Sequence, residues 1–188
     1  LGMWVVAFRK NNGRDKLLLI VSLVIGMLPL AAMAPQIFKA QLAPTIHDIT
    51  TDTQEPPKFS TVIALRADAA NDLRYGTATL SPEKHADLQL GAYPNVTTIY
   101  SKLDISSAVR RAKTVLNDQG LKIVDVGVEE GRVEATATTF WFGFKDDVVV
   151  RVREYETGSK IDVRSVSRVG ANDLGANAAR IERFLNAF

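Results

Sequence analysis

The chain has 188 residues, with 23 lysines and arginines against 21 aspartates and glutamates, two histidines and no cysteine. That length accommodates one ordinary domain and a small additional element, and the lack of cysteine excludes a disulfide framework, a thiolate nucleophile and a thiolate metal site. Residues 1–44 hold five basic and one acidic residue, and residues 45–188 hold 18 basic and 20 acidic. The larger part is therefore not basic, which excludes a nucleic-acid partner of the usual polyanion-binding kind.

Residues 1–8, "LGMWVVAF", are apolar and read as the end of a possible earlier transmembrane helix. Residues 9–16 form a short loop with Arg9, Lys10, Arg14 and Lys16 opposed only by Asp15. Residues 17–38 carry no charge, and Lys16 and Lys39 bound them. At about 1.5 Å per residue they reach across a hydrocarbon core, which predicts a transmembrane helix that tolerates Pro29 and Pro35. A cleaved signal peptide with Ala32-Met33-Ala34 as its processing site is the competing reading, and Pro35 directly after the cut disfavours it. Basic residues stay on the cytoplasmic side. The expectation is thus an anchor in a bacterial inner membrane, with membrane lipid as one partner and residues 44–188 as a periplasmic domain.

The stretch "PTIHDITTDT", 44–53, follows. His47, Asp48 and Asp52, with His85 farther on, are ordinary zinc-ligand types, but their spacing matches no established metal signature, so no metal and no cofactor is expected. Aspartate and threonine side chains bind nearby main-chain amides readily, so the stretch reads as a collar of turns at the start of the domain. Pro56-Pro57 stops any early helix. "KFSTVIALR", 58–66, suggests one strand, most of residues 45–91 read as loop over the rest, and "GAYPNVTTIY", 91–100, places a turn at Pro94-Asn95 ahead of a short extended segment of strand type.

The patterning sharpens from Asp104. Ile105, Ala108, Val109, Ala112, Val115 and Leu116 recur at helical spacing, Asp104 can cap the first turn, and Gly120 can take the left-handed conformation that ends it. Four segments of strand type come next, "LKIVDVGV", "RVEATATTF", "DVVVRVREY" and "SKIDVRSVSRV", joined by glycine-bearing links suited to hairpins. "WFGFKDD", 141–147, connects the inner two and places Trp141 and Phe142 beside charge. A second helix begins at Asn172 or Asp173, with Leu174, Ala178, Ile181 and Leu185 on one stripe. The predicted fold is α+β: the transmembrane helix, then a two-layer domain with a four-stranded antiparallel sheet and two helices, in the order α-β-β-β-β-α.

A last hairpin turning at Thr157-Gly158 sets Arg151 opposite Arg164 and Arg153 opposite Asp162, with Arg168 on the same face. Opposed arginines need an acid between them, either internal, from Glu134, Asp146 or Asp147, or external, from a ligand or an acidic partner.

"PTIHDITTDT" with Pro56-Pro57, then "GFKDDVVVRV", then "DVRSVSRVGANDLGANAARI" occur in this order, and together they make the chain resemble the family of unknown function numbered 1499, from about residue 44 to the end. His47, Asp48, Thr51, Asp52, Asp146, Asp147, Arg164, Ser165, Ser167, Arg168, Asp173 and Asn177 match its motifs, whereas Gly120-Leu121 stands where members often have Gly-Trp. The resemblance implies hydrophobic segments ahead of the domain and no particular reaction.

Three functions are compatible with these features. The first is a non-enzymatic accessory or assembly subunit that docks on other integral membrane subunits of a respiratory or photosynthetic complex, using Arg151, Arg164, Arg168, Trp141 and Phe142. The second is a binding module for a lipid, pigment or anionic small molecule. The third is a hydrolase using His47 with Asp48 or Asp52, for which no serine stands in a nucleophile-elbow frame.

Overall fold

A computed structural model describes residues 13–77, 80–139 and 142–188. The chain divides into two compact units, residues 1–42 and residues 43–188. In the first, helix α1, Gly13–Leu42, continues through Pro29 and Pro35. Its apolar residues are exposed on every side, Leu17, Leu18, Leu19, Ile20 and Val21 in succession. Among the described residues no helix is long and apolar enough to cross a membrane, so the transmembrane helix expected over 17–38 is corrected to this. The apolar segment 1–8 lies outside the described residues.

In the second unit the four-stranded sheet is corrected to six antiparallel strands: β1, Asp48–Thr50; β2, Ile99–Ser101; β3, Lys122–Gly127; β4, Arg132–Thr138; β5, Lys145–Tyr155; and β6, Gly158–Ser167. β3 to β6 form the meander, and both additional strands lie on the outer edge of β6. β1 pairs Thr50 with Arg164 at one end of β6, and β2 pairs Ile99 with Ile161 at the other. Each has three residues, too few to show a period of two, and each exists because β6 offers an unpaired edge. The supposed collar therefore enters the sheet.

The described α-helices number four. Besides α1 they are α2, Pro82–Ala92; α3, Ile105–Asp118; and α4, Ala176–Ala187. α2 falls in the stretch that reads as loop, yet Ser81 caps it through the amide of Lys84 and Pro82 opens it. The expected strand over 58–66 is instead a 3-10 turn, Thr61–Leu65. α3 forms as its sequence dictates: Asp104 accepts from the amide of Ser107 at 2.8 Å. Its end is closed by Gly120 at φ +78°, with Gly120 N–H on the Asn117 carbonyl and Leu121 N–H on the Leu116 carbonyl.

The two faces of the sheet are covered differently. Ala108, Val109, Ala112, Val115 and Leu116 of α3 and Ala178, Ile181 and Phe184 of α4 share one core with Val133, Ala135, Val148, Val150, Val152, Ile161 and Val163. The other face lies under the irregular segment 51–80, where Phe59 and Val62 pack on Val149 and Val166. Leu174 stays exposed, and Phe184 takes the buried place at the end of α4.

The hairpin turn lies at Glu156-Thr157, where Tyr155 pairs with Gly158. A Cβ at Gly158 would run into the main chain of β2 at Ser101 and would stand 2.9 Å from the Lys102 Cα. Gly158→Ala is expected to push β2 off the edge and cost about 1–3 kcal/mol, read as a lower urea midpoint; an unchanged midpoint would contradict this close approach.

Candidate functional site

Strand alternation sends Asp147, Arg151 and Arg153 of β5, and Lys160, Asp162, Arg164, Val166 and Arg168 along β6, to the side under segment 51–80. The register differs by two residues from that expected. Arg151 faces Asp162, Arg153 faces Lys160, and Arg164 faces Val149. An even shift keeps every side chain on its face while changing every partner. The expected opposition of Arg151 and Arg164 does not arise.

Three charge clusters occupy this face. Asp147, fully buried, accepts from Arg168 Nε and Nη2 at 2.9 Å each, from Arg66 Nη1 at 2.5 Å and from Thr136 Oγ1 at 2.7 Å. Both arginines also donate to main-chain carbonyls, Arg66 to Asn71 and Arg168 to Leu65. The strand carboxylate thus holds the covering segment down. Next to it, Glu134 accepts from the amides of Ser60 and Val62 at 2.6 and 2.7 Å and so anchors the start of the 3-10 turn.

In the second cluster Arg164 makes a two-pronged pair with Asp48, Nε to Oδ1 at 2.9 Å and Nη2 to Oδ2 at 2.6 Å. It donates as well to the carbonyls of Pro57 and Leu73. Its guanidinium carbon lies 5.6 Å from the Phe59 ring and 5.8 Å from the Tyr75 ring. In the third, Asp162 and Asp52 share Arg151, at 2.9 and 3.0 Å, and Arg153 reaches Glu55 at 2.5 Å. Burial alone would raise the Asp52 carboxyl, but the Glu55 amide and the charges of Lys160 and Arg151 hold it below the ordinary carboxylate range.

Arg151, Arg164 and Arg168, which the sequence offers for an external anion, are therefore each paired with a carboxylate of the same domain. Of the three internal acids expected between Arg151 and Arg164, Glu134 and Asp147 act elsewhere on this face. Asp146 lies on the helix side and accepts from Arg180 at 2.6 Å. There Asn177 joins Ser165 at 2.6 Å, Ser167 at 2.9 Å and the His47 carbonyl at 3.1 Å. Asp173 takes the amides of Gly175 and Asn177 at the start of α4, and burial raises its carboxyl.

His47 is 7% exposed, and its Nδ1 is buried without a partner among the described residues. His85 sets Nε2 2.6 Å from the Asp48 carbonyl and its ring 4.6 Å from that of Tyr75. The Asp48 carboxylate is engaged by Arg164, and that of Asp52 by Arg151, Arg153 and Lys160. Neither is joined to His47 as a relay would require. Among the described residues no group of three histidines, aspartates or glutamates could hold a metal ion.

Trp141 lies outside the described residues. Phe142 is 76% exposed and Phe144 53%, their rings stacked at 5.5 Å. The connection that carries them is tightly bonded: Thr139 N–H donates to the Phe144 carbonyl at 2.8 Å, and Phe144 N–H to Thr139 Oγ1 at 2.9 Å. Gly143 turns the chain at φ +65°.

Arg66 and Arg180 belong to these networks with no sequence spacing to announce them. Gln89 is another such residue: it pairs with both main-chain groups of Thr50, at 3.0 and 2.6 Å, and closes the outer edge of β1. A buried polar side chain on α2 was its only available signal.

A family model described as a protein of unknown function, DUF1499, matches residues 48–188, and the chain belongs to that family. No curated protein and no solved structure matches it. Apart from Thr51, Asp52 and Asp173, the motif residues named above are buried, and all of these but His47 place their side chains in the pairs just described.

Asp147→Asn is expected to lower stability by about 3–5 kcal/mol, because two buried guanidinium groups lose their counter-charge; a urea denaturation midpoint within error of wild type would refute that role. Burial, ahead of the Asp48 charge that opposes it, depresses the His47 imidazole below 6.5. The folded state therefore favours the neutral ring, and its stabilising effect is present above pH 6.5 and lost as pH falls, since the unfolded chain takes the proton first. As pH falls below 6.5 wild type should lose stability through this group, and His47→Gln should remove that component. Parallel pH profiles for the two would disprove it.

Proposed function

We propose that the chain is a non-enzymatic accessory or assembly subunit that docks on a larger complex of integral membrane proteins. The observation that carries this reading is the stacked, exposed Phe142–Phe144 pair on a connection braced by Thr139. Exposed aromatics bury a large area on binding. The exposed apolar side chains of α1, Leu17 to Leu30, are a further surface that a membrane-protein partner would cover.

The internal pairing of the arginines supports the same reading. Arg151, Arg164 and Arg168 give rigidity to the domain that presents the aromatics, instead of a charged contact of their own.

The test is purification of the full chain in mild detergent, followed by mass spectrometry of what travels with it. Wild type is expected in a species larger than its own mass. Phe142→Ser with Phe144→Ser should weaken the association by about 2 kcal/mol or more, the size of a hot-spot loss, without lowering the unfolding temperature. Recovery of wild type alone in every detergent, or of the double variant with its partner intact, would reject this function.

A further inference from the structure

On the side covered by segment 51–80 there is a cleft of about 390 Å³ walled by Phe59, Ile63, Leu73 and Tyr75. That volume lies in the range of small-molecule sites, which combine apolar walls with a few polar groups. The charged residues lining it are Lys58, Arg74 and Arg164, and among the described residues no acid lines it. Arg164 lies beneath the two aromatic rings with its charge met by Asp48. The other two are differently placed. Lys58 is exposed and has no ion pair among the described residues. Among the described residues Arg74 makes its ion pair with Asp72, at 3.9 Å, with both side chains more than two-thirds exposed, an arrangement worth little in water.

The walls supply what an apolar body needs. Ile63 is 55% exposed although it belongs to a 3-10 turn that is anchored from below by Glu134. Phe59 and Tyr75 are held by the guanidinium between them, so the cleft exists before any ligand arrives. Apolar walls beside an exposed lysine and an arginine that is only weakly paired select a particular chemistry.

We infer that this cleft binds a small organic anion with an apolar body, of the single-chain carboxylate class, its tail between Phe59, Ile63 and Leu73 and its head near Lys58 and Arg74. This site is separate from the aromatic pair proposed for docking, and it stands or falls independently of that function. A free carboxylate and an anionic lipid headgroup share this chemistry, and the experiment distinguishes them.

The full chain in neutral detergent is photolabelled with a diazirine derivative of decanoate, and the adducts are mapped by peptide mass spectrometry. Label should concentrate between Phe59 and Tyr75. Excess decanoate should reduce it at least tenfold and decanol at equal concentration should not. Lys58→Gln with Arg74→Gln, and separately Ile63→Asp, should each reduce labelling about tenfold while the circular dichroism spectrum and unfolding temperature hold. Label elsewhere, equal competition by decanol, or wild-type labelling of the lysine-arginine variant would overturn the inference. So would protection of this region by phosphatidylglycerol vesicles but not by decanoate, which would assign it to a membrane headgroup.

Discussion

A carboxylate buried between two guanidinium groups is the constraint around which this domain is arranged. Asp147 on β5 accepts from Arg168 beyond the end of β6, from Arg66 in the covering segment and from Thr136 on β4. Segment 51–80 contributes few apolar side chains, and by hydrophobic burial alone it would hold loosely. Charged groups out of water must be paired or they are very costly, so the closed arrangement is the one in which each group finds its partner. Asp48 with Arg164, and Asp162 with Arg151, repeat the device along the same face.

The consequence is a sheet with two unlike sides. One is an ordinary core, in which α3 and α4 lay aliphatic stripes on Val148, Val150, Val152, Ile161 and Val163. The other is a polar interior roofed by an irregular segment. Such an interior specifies geometry closely because each bond has a direction, whereas aliphatic contacts tolerate sliding. That precision is what leaves a formed cleft beside Arg164, and the sheet it stiffens carries the Phe142–Phe144 connection at the end of β4 and β5.

The histidines fit this description better than they fit catalysis. His85 serves β1 through the Asp48 carbonyl, and His47 is a buried ring, its basicity lowered by burial, whose main-chain carbonyl is used by Ser167 and Asn177. The family match over residues 48–188 covers the whole charged interior. Most of the motif residues in this chain are therefore explained by fold maintenance, and the candidate functional surfaces are the exposed aromatics and the cleft.

Wherever a local pattern sufficed, the amino-acid sequence alone determined the structure. The period of α3 with Asp104 before it and Gly120 after it, the alternation of β3 to β6, and membership of the family all follow from neighbours within a few residues. The exposed Phe142 was legible for the same reason, as an aromatic in a short connection between two strands. β1 was not, because a three-residue strand has no pattern of its own and forms only against the edge of β6, and of β2 only the extended segment after Pro94-Asn95 was legible, without its partner. Nor was the hairpin register, since Arg151 opposite Asp162 depends on the turn at Glu156-Thr157. Tertiary structure alone decided that Arg66 meets Asp147 across 81 positions and that Asp48 meets Arg164 across 116. Ion pairing is set by distance in space, and spacing along the chain carries no record of it.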